Sequence, residues 1–178
     1  MPKVPAIRRP VSAVPAIASV ALAAFIAAPA AQAAELTSFS CSDERLARNV
    51  TTMPVTFQKS ADSPVSKTFT AHLQGRKSRF SAPEAITATC ELKPDLHYIV
   101  EGYDRATGRY LPVNGAYKMA IACKAVRADG TGYQGIERRL SIPAPAQGGP
   151  FDDPEARSRF DTAACQSATS AIRGSLSR

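Results

Sequence analysis

The sequence predicts an α+β fold that is mainly antiparallel β: a meander sheet, sandwiched or rolled into a small barrel, packed by a C-terminal helix and stapled by disulfides. Three observations predict it. Apolar and polar residues alternate over residues 86–92 and 117–125, the period-two signature of strands with one buried face. Turn signals separate such runs, and Asn114-Gly115 is the strongest of them. After a proline- and glycine-rich linker over 143–150, Asp153-Pro154-Glu155 carries helix-start chemistry and Gly174 behind Arg173 carries a stop signal.

The chain opens with what reads as an export signal. Lys3, Arg8 and Arg9 form a basic start, residues 16–28 are uncharged and apolar, and Ala31-Gln32-Ala33 places small side chains before a cleavage site at Ala34. Pro15 and Pro29 bracket the apolar run, which is shorter than the roughly 20 residues that span a bilayer. Pro10 directly after Arg8-Arg9 argues for general secretion over the twin-arginine route. Ser38-Phe39-Ser40 ahead of Cys41 lacks the aliphatic residue of a lipid-attachment motif. Residues 1–33 are therefore expected to be a secretory signal, and residues 34–178 a single globular, soluble domain, periplasmic or secreted.

The net charge is +7, of which three units sit in the leader, so residues 34–178 carry +4. That mild, scattered excess does not resemble a nucleic-acid footprint. All four cysteines lie beyond the leader, and an even number in an oxidising compartment reads as two disulfides. There is no C-x-x-C, and neither His72 nor His97 has ligand spacing to a cysteine, so no metal is expected. Strand parity points both Cys90 and Cys123 inward, which favours bonding them to each other. Cys41 would then bond Cys165; the pairing Cys41 with Cys90 and Cys123 with Cys165 stays open.

Between about residues 50 and 142 the meander reads as follows. Residues 55–57 and 67–73 form two strands around Asp62-Ser63-Pro64, and residues 86–92 a third. Residues 98–101 and 109–111 form a hairpin around Asp104 to Gly108, and the strand from Tyr117 follows Asn114-Gly115. After Asp129-Gly130-Thr131-Gly132, Ile136, Leu140 and Ile142 mark the inward face of the last strand, with Arg138 sharing their parity at an edge or end position. A short helix begins near Ser42, which can cap it. The final helix covers 153–173, with Ala156, Phe160, Ala163, Ala164, Ser167, Ala168 and Ala171 on one stripe that suits close packing on a sheet.

Catalytic chemistry finds little support. The chain has only two histidines and no G-x-S-x-G turn to present a serine. His72 shares the polar parity of Thr68 and Thr70, and His97 opens the strand after Pro94-Asp95-Leu96. Glu91, Glu101 and Glu137 lie on predicted strands, whose carboxylates usually face water. Asp152, Asp153 and Glu155 form an acidic group, of which helix capping accounts for Asp153 and Glu155 without calcium. Asn49-Val50-Thr51 fits a glycosylation sequon.

All five tyrosines fall between His97 and Tyr133. A rigid ring with a polar tip suits recognition of sugars, peptides or protein surfaces. Tyr98, Tyr103, Tyr110 and Tyr117, with Arg105 and Arg109 on the same hairpin, are the candidate binding residues; Arg76-Lys77-Ser78-Arg79 adds a basic turn whose distance from that hairpin the sequence leaves open. The expected role is a non-enzymatic exported module that binds a protein or an envelope component, of the inhibitor, immunity or assembly-accessory type, without a cofactor. A carrier with a barrel-like cavity for a small apolar ligand is the second expectation, and a hydrolase the third.

Overall fold

The computed structural model describes residues 35–177, and the leader expected over 1–33 lies outside the described residues. In chain order the elements are β1 (Ser38–Cys41), α1 (Glu44–Ala47), β2 (Val55–Asp62), β3 (Lys67–Gly75), β4 (Glu84–Pro94), α2 (Ile99–Gly102), β5 (Tyr103–Asp104), β6 (Arg109–Tyr110), β7 (Ala116–Arg127), β8 (Gly132–Gln134), β9 (Arg138–Pro143) and α3 (Pro154–Leu176). The main sheet runs β1-β2-β3-β4-β7-β8, with β9 also pairing β7. All its pairings are antiparallel. The sheet is open and does not close into a barrel.

Period-two patterning explains how one face is covered. On β3, β4 and β7, residues Phe69, Ala71, Ile86, Ala88, Leu92, Ile121 and Ala125 are buried under α3, while Thr68, Thr70, His72, Thr87, Thr89 and Glu91 occupy the opposite face. Four phenylalanines from both layers meet there. Phe39 stacks on Phe57 at 4.5 Å between ring centroids and meets Phe160 edge-on at 5.6 Å, while Phe69 lies 5.5 Å from Phe39. Such ring pairs add about 0.5–1.5 kcal/mol each to what burial supplies.

Small residues on α3 let the helix approach the sheet. The Ser167 hydroxyl accepts from the Cys123 backbone N–H at 3.0 Å, and a Cβ at Gly135 would come within 2.4 Å of the Ser167 carbonyl oxygen. Gly135 thus marks a jog where the chain leaves β8 before starting β9. Two disulfides close the structure. Cys90 and Cys123 are direct cross-strand partners of β4 and β7, with Cα atoms 4.0 Å apart. Cys41 at the end of β1 bonds Cys165 on α3, a sequence separation of 124 residues.

Several local expectations are corrected. Residues 98–101 are not a strand: Ile99–Gly102 is one helical turn, closed by Gly102 N–H to the Tyr98 carbonyl at 2.9 Å. That segment lies beyond the end of β4 and pairs with no strand of the main sheet. The strand expected over 109–111 shrinks to Arg109–Tyr110, which pairs only with β5. Asp43, rather than Ser42, caps α1 by accepting from Arg45 N–H at 2.9 Å. Gly174 does not end α3, which continues to Leu176; an added Cβ there would lie 2.1 Å from the Tyr133 ring, so the glycine makes room for a packed aromatic. Ile136 is exposed, because it sits in the jog and not on the last strand. Arg138 is half-buried on the edge strand β9, opposite Ile121.

Candidate binding end of the sheet

Residues 95–113 form an insert between the end of β4 and the start of β7. Asn114 and Gly115 return the chain with φ of 51° and 73°, the left-handed pair of a two-residue hairpin turn. Val113 and Ala116 exchange backbone hydrogen bonds of 2.8 and 3.1 Å across it. Inside the insert, the Asp104 carboxylate accepts from the Thr107 hydroxyl at 2.5 Å and the Ala106 N–H at 2.9 Å. Those bonds, the Thr107 hydroxyl first, hold its pKa below the usual carboxylate value. Asp104 is therefore spent on shaping its own loop, and Arg105 and Arg109 are in no ion pair among the described residues.

Tyr103 and Tyr110 are cross-strand partners of β5 and β6. The Tyr110 ring lies over Gly102, where an added Cβ would meet it at 2.3 Å. Its hydroxyl is enclosed and has no hydrogen-bond partner among the described residues. Burial first, then the nearby Asp95 and Glu101 charges, pushes its pKa up. A phenol is neutral at physiological pH even at its ordinary value, so the enclosed hydroxyl offers a donor rather than a negative charge.

Two clefts flank the insert. The first, about 390 Å³, has Leu92, Tyr110, Tyr117, Met119 and Phe151 among its walls, with Arg109 and Glu35 also lining it. The second, about 480 Å³, is walled by Pro94, Leu96, Ile99, Val100 and Tyr103 with Arg105. Both include Val65 and Ser66 from the turn between β2 and β3, so that turn forms a shared wall. Their size falls in the usual range for small-molecule sites.

The candidate residues thus divide between two places. Arg109, Tyr110 and Tyr117 line the first cleft, and Tyr103 and Arg105 the second. Tyr98 lines neither cleft; Lys118 Nζ sits 5.8 Å from its ring centroid. Tyr133 packs against α3 at Gly174 instead. The basic turn at Arg76–Arg79 belongs to the opposite end of β4, about 33 Å away at the rise of an extended strand. Sequence reading passed over Leu96, Ile99, Val100 and Leu111, all exposed. Val100 is 87% exposed. Their signal was an apolar run between two turns, read as a strand with a buried side.

Among the described residues no catalytic constellation forms around the histidines. His72 Nδ1 lies 3.2 Å from Thr87 Oγ1 on the open sheet face, and at His97 it is the backbone N–H that meets Asp95 Oδ1, at 3.2 Å. Glu91 pairs with Lys93 at 3.7 Å, and Glu101 lies on α2. Asn49 donates its amide to the Arg76 carbonyl at 2.8 Å, a bond that a glycan would displace. No helix among the described residues is long and apolar enough to cross a membrane. No family model, curated protein or solved structure matches this chain.

Proposed function

We propose that the protein is an exported, non-catalytic binding module that recognises a protein or envelope component through the 95–113 insert. One observation carries this reading: Leu96, Ile99, Val100, Tyr103 and Leu111 are all exposed on a single short insert. Clusters of large exposed apolar groups mark interaction sites on folded proteins. The unpaired Arg105 and Arg109 beside them supply the charged anchors that accompany aromatic groups at binding hot spots. Two disulfides and the basic, apolar, small-residue order of residues 1–33 support an oxidising, extracytoplasmic setting.

The test is capture from envelope extract by the oxidised protein, compared with Ile99→Ser/Val100→Ser and with Tyr103→Ala/Arg109→Ala. Both variants should lose at least tenfold in capture while unfolding at the wild-type temperature. Undiminished capture by both removes the insert from consideration. The roughly 390 Å³ cleft favours a second reading, a carrier of a small apolar ligand with an acidic group held at Arg109. Mass analysis of organic extracts from the purified protein decides that reading, since a carrier releases a stoichiometric small molecule.

A further inference from the structure

The other end of the sheet carries a different exposed apolar group. Phe80 is 84% exposed at the tip of the loop between β3 and β4, and the Arg79 guanidinium lies 4.5 Å from its ring centroid. The tip is held rigid by two serines. Ser81 N–H donates to the Ser78 carbonyl at 3.2 Å, Ser78 N–H to Ser81 Oγ at 2.9 Å, and Phe80 N–H to Ser78 Oγ at 3.3 Å. At the loop's base Arg76 N–H donates to the Asn49 carbonyl at 2.6 Å, and the Asn49 amide returns to the Arg76 carbonyl.

We propose that this turn docks the protein on an anionic phospholipid surface, with Phe80 in the interfacial layer and Arg48, Lys77 and Arg79 against the phosphates. The charge is complementary: residues 76–83 contain Arg76, Lys77 and Arg79 and no acid, while Glu84 and Asp129, the latter within reach of the Lys77 charge, both pair with Arg127. Arg48 belongs to the same end through Asn49, and none of these four cations is in an ion pair among the described residues. Basic groups near such a surface each add to attraction that fades within a Debye length. The hydrogen bonding favours lipid over a protein partner. A bilayer offers few partners for peptide groups, and the turn satisfies the Ser78, Phe80 and Ser81 N–H groups internally. Immersing its tip therefore strands few polar atoms while covering one aromatic ring.

The chain has no tryptophan, so Phe80→Trp installs a single reporter at the tip. The experiment uses disulfide-bonded protein purified from the host envelope, with vesicles of phosphatidylglycerol and phosphatidylethanolamine or of phosphatidylcholine alone. Expected are a shift of Phe80→Trp emission to shorter wavelength with the anionic vesicles and its reversal at high salt. In cosedimentation, Phe80→Ser should weaken partition about tenfold, and Lys77→Gln and Arg79→Gln about fivefold each. Ile99→Ser/Val100→Ser should partition as the wild type does, which separates this end from the insert. An unshifted emission overturns the proposal. So does equal binding to both vesicle types, loss of partition in the insert variant alone, or capture of an acidic soluble protein by this turn without vesicle binding.

Discussion

Between Glu84 and Arg127 the chain handles its apolar residues in two ways. Along β4 and β7, whose register runs from Ile86 opposite Arg127 to Pro94 opposite Met119, the apolar side chains that face α3 are enclosed. In the insert that joins these same strands, Leu96, Ile99, Val100 and Leu111 stay in water. Residue type does not separate the two regions, since both are rich in aliphatic and aromatic groups. What separates them is an opposing layer: α3 lies over the ladder, whereas β5 and β6 are two residues each, too short to build a second face. Burial is a property of the partner surface as much as of the side chain.

The widest cross-link gives the largest expected effect. Replacing Cys41 and Cys165 by alanine removes the bridge that holds β1 to α3 and should cost about 5 kcal/mol in denaturant unfolding, against about 4 for the Cys90–Cys123 pair. Equal or reversed costs would show that the ladder, and not the α3 contact, limits the body. Phe160→Ala removes a fully buried ring shared with Phe39, Phe69 and Phe151 and should cost about 4 kcal/mol. Gly135→Ala pushes a methyl toward the Ser167 carbonyl and should cost about 2 kcal/mol, read as a lowered thermal midpoint.

A smaller effect follows pH. Asp43 has its pKa held down to about 2, first by the Arg45 side chain and also by the Arg45 N–H and the Thr169 hydroxyl. A carboxyl with a depressed folded-state pKa stabilises fully above its ordinary value near 3.8, and that contribution disappears as pH falls from there through about 2. Allowing for solvent screening it amounts to about 1 kcal/mol, and Asp43→Asn should flatten that part of the acid unfolding curve. At the bottom of the scale stands the insert itself. Val100→Ser should move stability by less than about 0.5 kcal/mol, and a larger loss would mean that the insert belongs to the body after all.

The body was legible because its physics is local. Alternation at Ile86, Ala88, Cys90 and Leu92, and at Met119, Ile121, Cys123 and Ala125, records a face covered by one layer. Asp153 then Pro154 records helix initiation, and Asp153 does accept from Glu155 and Ala156 N–H groups at 3.2 Å. The insert was not legible, because a short apolar run such as residues 98–100 satisfies a strand or a single helical turn equally well. Gly174 misled for a related reason: helix-stop chemistry and room for a distant Tyr133 both select glycine. At the candidate site, tyrosine clustering drew attention to the stretch that forms the insert, but how Tyr103 and Tyr110 divide between the two clefts depends on the turn at Val65–Ser66, far away in sequence.

The jog at Gly135 has one more consequence. It cuts the far margin of the sheet into pieces of three and six residues, β8 and β9, while β1 at the near margin has four. Polymers built by strand addition grow on long, flat, unoccupied templates, and neither margin supplies one. A molecule with bare aliphatic groups at one tip is thereby denied the easiest route to fibrils.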